Sequence, residues 1–496
     1  MAHSQKSFST TPPSQRRYPG QIIVRHLAHF FRQIAATFWF VPALCILAGL
    51  LASQVMLDID RTIDINGRIP ILGWVADVGA DGARSMLSAI GTAMLGVAAT
   101  AFSITISVIA TASSNYGPRL VRNFMSDRGN QVVLGMLSTT FIYVLMVLRT
   151  IRSEQGEREL FVPHLSVTLA ILLALVDVGM LVWFIHHIAD SIQVNTIAQD
   201  VRVRWLASIK RWFRPSRNDN YGDYADYPYP INAAQLQKAA ETQRVVVSDT
   251  PTHAMYPEQQ GSITPALMTL NKVGYIIEID LDALADFAAS HELRLVLLKR
   301  VGDHVVEDEP VMQLWPSEKH DDIQQELRRQ FSVDDSRTTY QDLQFAQQQL
   351  VELAVRALSP GTNDPYTAIN AVNELGAGIC VAVSRPHPGD VIIRNEQPRL
   401  WYLPVTQAEI LTMPFDHIRP FAPQSIIVMK ALIDLARRAQ AASIYPELAE
   451  LAEQKIQELR AEVEQAGVNP CDLQAVDDYI EQTDTKTRLA WVNTDE

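Results

Sequence analysis

Residues 34–57, IAATFWFVPALCILAGLLASQVML, contain no charged side chain. The run exceeds the roughly 20 apolar residues that a helix needs to cross a hydrocarbon core about 30 Å thick. It is also longer than the roughly 7–15-residue apolar core of a cleavable leader and has no convincing A-x-A site after it, so it is expected to be a retained anchor. Three further apolar runs follow at about 86–112, 131–150 and 165–189. A spanning segment must satisfy its own backbone hydrogen bonds, and these runs lack the alternation of barrel strands, so they are expected to be helices. The fold class that follows is a four-helix membrane domain, 34–190, joined to a large polar remainder.

Positively charged flanks stay on the cytoplasmic side, and their positions set an orientation. Arg16, Arg17, Arg25 and Arg32 precede the first run, Arg119, Arg122 and Arg128 lie between the second and third, and Arg202, Arg204, Lys210, Arg211, Arg214 and Arg217 follow the fourth. The two other connections mix their arginines with acids: Asp58, Asp60, Asp64, Asp77 and Asp81 in one, Glu154, Glu157 and Glu159 in the other. Both termini are therefore expected in the cytoplasm. The tail 1–33 ends in IIVRHLAHFFRQI, whose spacing predicts an amphipathic helix on the inner leaflet or an extension of the first span.

The formal charge of −13 comes mostly from the chain beyond residue 215, which argues against nucleic-acid binding by that part. Cys45, Cys380 and Cys471 form no CxxC pair and imply neither a disulfide framework nor a metal site. No P-loop, dinucleotide fingerprint, HExxH or kinase signature is present, so no catalytic residue and no cofactor is assigned.

After the basic segment and linker, 191–230, whose end RPSRNDNYGDYADYPYP has no periodicity, an α+β domain is expected. A β-rich part, 231–317, takes strands from VVVSD, GYIIEID, LRLVLLKR and VMQLW around one helix, LDALADFAAS. A mostly helical part, 318–496, has segments near 320–331, 341–358, 365–384, 423–442, 446–466 and 471–483. The stretch 386–414 is less regular: VIIRN and RLWYLPV suit a small hairpin, and the prolines after them argue against helix.

Five blocks carry a resemblance: AFSITISVIATASSNYGPRLVRNF, FIHHIADSIQV, GYIIEIDLDAL, VGDHVVEDEPV and, the most specific, RALSPGTNDPYTAIN. With them the chain resembles a bacterial inner-membrane family catalogued as domain of unknown function 2254. The resemblance implies a multi-pass protein of the inner (plasma) membrane with this domain order, and it supplies no catalytic residues. The strand spacing also looks like a small barrel-sandwich hybrid, the fold of lipoyl and biotinyl carriers. The Met-Lys or Asp-Lys that would carry such a cofactor is missing.

Thr92, Gly96, Thr100, Ser103, Ser107, Thr111 and Ser114 recur every three or four residues and so share one face of the second span. Close helix packing and a wetted path for an ion or solute are the two readings. Asp177, in LALVDVGML, is a costly acid at mid-span that should face a partner or water. His186 and His187 close the fourth span, where imidazoles suit the negative helix end. A metal or pH-sensing role for them would draw on His26 or His29.

In ALSPGTNDPYTA, Gly361 suits a left-handed residue after a helix ending near Ser359, and Asp364-Pro365 reads as an N-cap and first-position proline. Arg356, Ser359, Gly361, Asn363 and Asp364 thus define either a structural corner or a place where free amides receive a small ligand. Ser359 would be a nucleophile only with a base, for which His387 is the nearby histidine in sequence. The functional expectation is a homo-oligomeric channel or transport-like protein with a cytoplasmic regulatory domain. The alternative is a membrane scaffold or sensor that binds a protein or small ligand through that domain. The lipid bilayer is the partner common to both.

Overall fold

The apolar runs are helices in the computed structural model, which describes residues 39–62, 79–117, 127–151, 161–213, 264–316, 321–395 and 397–492. The tail 1–33, the linker 214–230, VVVSD, Arg119, Arg122, Asp64, Asp77 and Glu154, Glu157 and Glu159 lie outside the described residues. Two units emerge, one holding most of the chain up to Ile192 and a second holding Asn115–Gly117 with Gln193–Glu496.

The first unit has α1 (Phe40–Thr62), α2 (Ala80–Tyr116), α3 (Arg128–Leu148) and α4 (His164–Ser191). α3 is the most enclosed, with Val133, Leu134, Leu137, Tyr143, Val144 and Val147 fully buried. α1 reaches it through small residues: a Cβ on Gly49 would lie 2.7 Å from Thr139 Cγ2, and one on Gly135 2.9 Å from Cys45 Sγ. Close backbone approach of this kind is how membrane helices gain dispersion contacts that lipid would otherwise supply. α2 adds Ala83, Leu87, Met94, Ala98 and Ala101 to the same cores. At one end of the bundle Asp60 accepts hydrogen bonds from Leu165 N (3.0 Å), Ser166 N (2.9 Å) and Ser166 Oγ (2.5 Å). A residue at the end of α1 thereby satisfies the orphan amides of the first turn of α4, and Tyr143 donates to Ser166 O at 3.1 Å.

The second unit begins with α5 (Val194–Trp212), a helix within what the sequence reads as a basic segment. Next come β1 (Ala266–Thr269), β2 (Gly274–Ile279), α6 (Leu281–Ser290), β3 (Arg294–Leu297), β4 (His304–Val305), β5 (Pro310–Trp315), α7 (Asp321–Arg328) and β6 (Phe331–Asp334). Then follow α8 (Leu343–Ala357), α9 (Pro365–Val383), β7 (Val391–Arg394), β8 (Gln397–Trp401), α10 (Gln407–Ile418), α11 (Ile426–Ala442), α12 (Pro446–Gln465) and α13 (Pro470–Val492). The strands form two open sheets, ordered β1-β5-β3-β8-β7 and β4-β2-β6, and no closed barrel is present among the described residues. The barrel-like expectation fails because α6 separates β2 from β3 and sends them to different sheets. In addition β8, about a hundred residues later, joins β3 in parallel through Leu295↔Leu400 and Val296↔Trp401. The expected hairpin is β7-β8.

The remaining helices pack around α9, which meets α5, α8, α10 and α11. Trp205 of α5, fully buried, lies directly on Gly378. α10 contradicts the non-helical reading of its segment. Thr406 and Glu409 form a complete capping box at its start, and Pro414 is accommodated inside it. Among the described residues five helices are long and apolar enough to cross a membrane: α1, α2, α3 and α4, with mean hydropathies of 2.0 to 2.5, and α9, at 1.2. The molecule is therefore a membrane-embedded helical protein with a mixed α/β region and C-terminal helices.

Candidate functional site

The face that α2 turns toward its own bundle is apolar: Ala83, Leu87, Met94, Ala98 and Ala101 are all buried. Thr92, Gly96, Thr100, Ser103, Ser107, Thr111 and Ser114 lie on the nearly opposite side, and every one of them is exposed. Among the described residues nothing comes within 4 Å of the place a Cβ would take on Gly96. Packing against α1, α3 or α4, one sequence reading of this stripe, is thus not what the residues do within one copy. Thr92, Thr100 and Thr111 donate to the carbonyls of residues 88, 96 and 107, each at 2.9 Å, which satisfies their protons along the helix. The outward faces of the neighbouring helices are different. Leu44, Leu47, Leu51 and Val55 on α1 and Leu172, Leu175, Val178 and Val182 on α4 are each more than half exposed. Bulky aliphatic surface suits lipid chains, and a strip of hydroxyls, glycine and alanine suits a close helix partner or water. Leu95 and Ile106 border the strip.

Asp177 does not join that strip. It is 1 % exposed, on the α4 side that packs against α3, beside fully buried Thr140. Neither carboxyl oxygen of Asp177 nor Thr140 Oγ1 makes a hydrogen bond of ordinary geometry. The two polar features of the membrane helices therefore lie apart, the α2 strip exposed and Asp177 enclosed.

The histidines also separate. His186 lies 3.3 Å from Asp190 and is largely exposed, a contact of little energetic weight. His187 Nε2 is 2.8 Å from Asp127 Oδ2, and its ring stacks on Trp183 with centroids 4.7 Å apart. Asp127 is the N-cap of α3 and accepts from Gly129 N at 2.7 Å, so one carboxylate closes α3 and ties it to the end of α4. No group of three or more His, Cys, Asp or Glu that could hold a metal occurs among the described residues, and His26 and His29 lie outside them.

In the corner between α8 and α9 the left-handed residue is Asn363, at φ 45°, and not Gly361. An asparagine tolerates this conformation because its short amide can bond locally. The amides are used internally: Thr362 N and Asn363 N donate to Ser359 O at 3.0 and 2.9 Å, and Asp364 N donates to Ala357 O at 2.8 Å. That removes most of the donors a ligand would need. Asp364 caps α9, accepting from Thr367 Oγ1 at 2.6 Å and Thr367 N at 3.1 Å, and these bonds hold its carboxyl below the usual carboxylate range. Ser359 Oγ donates to Arg356 O, whereas His387 stacks on Tyr445, so each of this pair is engaged elsewhere. Arg356 lies over Gly117, at φ 103°, where a Cβ would be 2.9 Å from its Nε. The glycine that follows α2 is thereby explained: only glycine combines that φ with that contact.

A cleft that sequence reasoning missed opens in the second unit between Trp212, Ile279, Leu297, Val301, Leu343 and Tyr402. Lys299 and Arg300 also line it, paired with Glu309 at 2.5 Å and Glu409 at 2.9 Å. The walls come from α5, β2, β3, α8 and the loops after β3 and β8, so no local motif announces them.

Comparison with known proteins agrees with this architecture. The model of the family described as Predicted membrane protein (DUF2254) matches residues 35–438. An uncharacterised protein of Mycobacterium tuberculosis is 30% identical over 404 residues, covering 80% of this chain and 70% of its own length. An uncharacterised protein of Mycobacterium bovis matches to the same extent. No solved structure matches.

Proposed function

We propose, for a chain that belongs to the DUF2254 family of predicted membrane proteins, a homo-oligomeric channel of the bacterial inner membrane. In it the strip on α2 of each copy faces a shared axis. The observation that carries the reading is the outward exposure of that strip beside helices whose outward faces are bulky and aliphatic. Most oligomers of one chain are closed and symmetric, and a ring around α2 would hide the strip from lipid while leaving a hydroxyl-lined interior.

Four helices, α1 to α4, cross the membrane in this reading. α9 stays out because its neighbours α8 and α11 are not apolar enough to span. Its own surface carries Glu374, paired with Arg202 at 3.0 Å, and Asn373, which accepts from Arg438 at 3.1 Å. Both termini and the second unit are cytoplasmic in this reading, which the arginine flanks support. At about 1.5 Å per residue α2 is roughly 55 Å long, well beyond a ~30 Å core, so it emerges from the bilayer as helix.

The test is ion permeation through the purified chain in planar bilayers, using Ser103→Cys with Cys45, Cys380 and Cys471 replaced. Conductance that a water-soluble, thiol-reactive cation blocks at residue 103, but not at a cysteine placed at Val178, supports the reading. Absence of conductance, or equal block at both positions, contradicts it. A second reading, a membrane-anchored sensor, rests on the apolar cleft near Trp212 and predicts saturable binding of an amphipathic small molecule there.

A further inference from the structure

Between His164 and His186 the only titratable residue of α4 is Asp177, and the membrane-depth parts of the other three helices offer no cation to it. α2 has no titratable side chain between Arg84 and Tyr116, α3 has only Tyr143 between Arg128 and Arg149, and α1 has only Cys45 before Asp58. Cys45 sits against Gly135 and Tyr143 donates to Ser166 O, so each has its own place in the packing. Asp177 is almost completely enclosed, and among the described residues its two carboxyl oxygens and the hydroxyl of Thr140 are buried there with no hydrogen bond of ordinary geometry. Buried polar atoms are nearly always paired, and one hydroxyl can serve only one of two carboxylate oxygens, so a carboxyl enclosed in hydrocarbon with no cation beside it calls for a positively charged occupant.

The geometry points to Asp177, backed by Thr140, as a proton-binding site within each copy, on the seam between α3 and α4 and apart from the α2 strip. A proton is the occupant that the site fits. Metal cations require a fuller shell of oxygens than one carboxyl and one hydroxyl provide, and Leu134, Leu137 and Phe184 close the seam on the side toward His187. A proton converts one carboxyl oxygen into a donor, which can then bond to Thr140 Oγ1 and leave no charge in the hydrocarbon. The next titratable groups along the two helices are Tyr143, one turn from Thr140 on α3, and the pair His186 and His187, nine and ten residues and roughly 15 Å along α4.

The experiment is infrared difference spectroscopy of the full chain in lipid, with carbon-13-labelled aspartate, as bulk pH is stepped across neutrality. A protonated-carboxyl band that appears and disappears reversibly with pH and is absent from Asp177→Asn is the expected result. Thr140→Val, which keeps the carboxyl and removes the hydroxyl beside it, should retain the band and shift its position and midpoint. No pH-responsive band attributable to residue 177 would overturn the proposal. Loss of the band on adding sodium at fixed pH would also overturn it, since the occupant would then be a metal cation. This outcome does not depend on whether the α2 strip conducts.

Discussion

Replacing Gly378 with alanine probes how α9 is held, and with it the assignment of this apolar helix to the second unit. A Cβ at 378 would run into three atoms of the Trp205 ring, the farthest of them, Cη2, at 2.7 Å. Trp205 is fully buried on α5, so the ring cannot swing into solvent, and relief would require α5 and α9 to separate. Overpacking a tight core usually costs about 1–3 kcal/mol, and a clash with a rigid ring belongs at the upper end, near 3 kcal/mol. For a unit of this size that corresponds to a fall of roughly 6–12 °C in melting temperature. The assay is thermal unfolding of purified variants followed by tryptophan fluorescence. Gly376→Ala is the comparison: its Cβ would approach Leu435 Cδ1, the end of a flexible side chain, at 3.2 Å and the Arg438 guanidinium at an ordinary 3.6 Å, and a loss below about 1 kcal/mol is expected. Adding Trp205→Leu to Gly378→Ala should recover part of the loss, since the two residues share one contact. Equal effects at 376 and 378 would refute the packing of α9 on α5.

Three further outcomes follow from particular contacts. Asp364→Ala should destabilise α9 by about 1 kcal/mol, the usual weight of an N-cap, measured by denaturant unfolding. Because its folded carboxyl is held below the ordinary Asp value of about 4, its contribution is present at neutral pH and is lost as pH falls through the lowered folded value. The gap between wild type and the variant should therefore close on acidification. Asp60→Ala removes the acceptor for three donors at the start of α4 and should cost about 2 kcal/mol, read as a lowered melting temperature in detergent. Gly117→Ala forces a Cβ against Arg356 at φ 103° and should cost roughly 1–3 kcal/mol, with Arg356→Ala partly restoring stability.

Much of the fold was legible because its strongest signals are local. Apolar runs predict α1 to α4, and helical periodicity predicts α8, α9, α11 and α12 within a few residues. The Thr406-x-x-Glu409 box, which the sequence reading passed over, outweighs the Pro414 that argued against α10. What escaped is non-local. The parallel pairing of β8 with β3 joins segments about a hundred residues apart, and Asp127 meets His187 across 60 positions. For the candidate site, spacing identified the residues of the α2 strip and the cost of Asp177. Spacing cannot say which helix face turns inward, because the buried alanines of α2 are as small as the residues on its other side. The corner misled for a related reason: Gly361 is free to be left-handed, but the bonds to Ser359 O place that conformation at Asn363.

Disulfide cross-linking in native membranes tests the central claim most directly. Single cysteines at Thr100, Ser103 and Ser107, in a chain without Cys45, Cys380 and Cys471, are compared with cysteines at Leu51 and Leu175. The account predicts oxidant-dependent dimers at the three strip positions with a helical periodicity, and monomers at the two lipid-facing ones. Monomers at all five, or dimers at Leu51 and Leu175 alone, would contradict it.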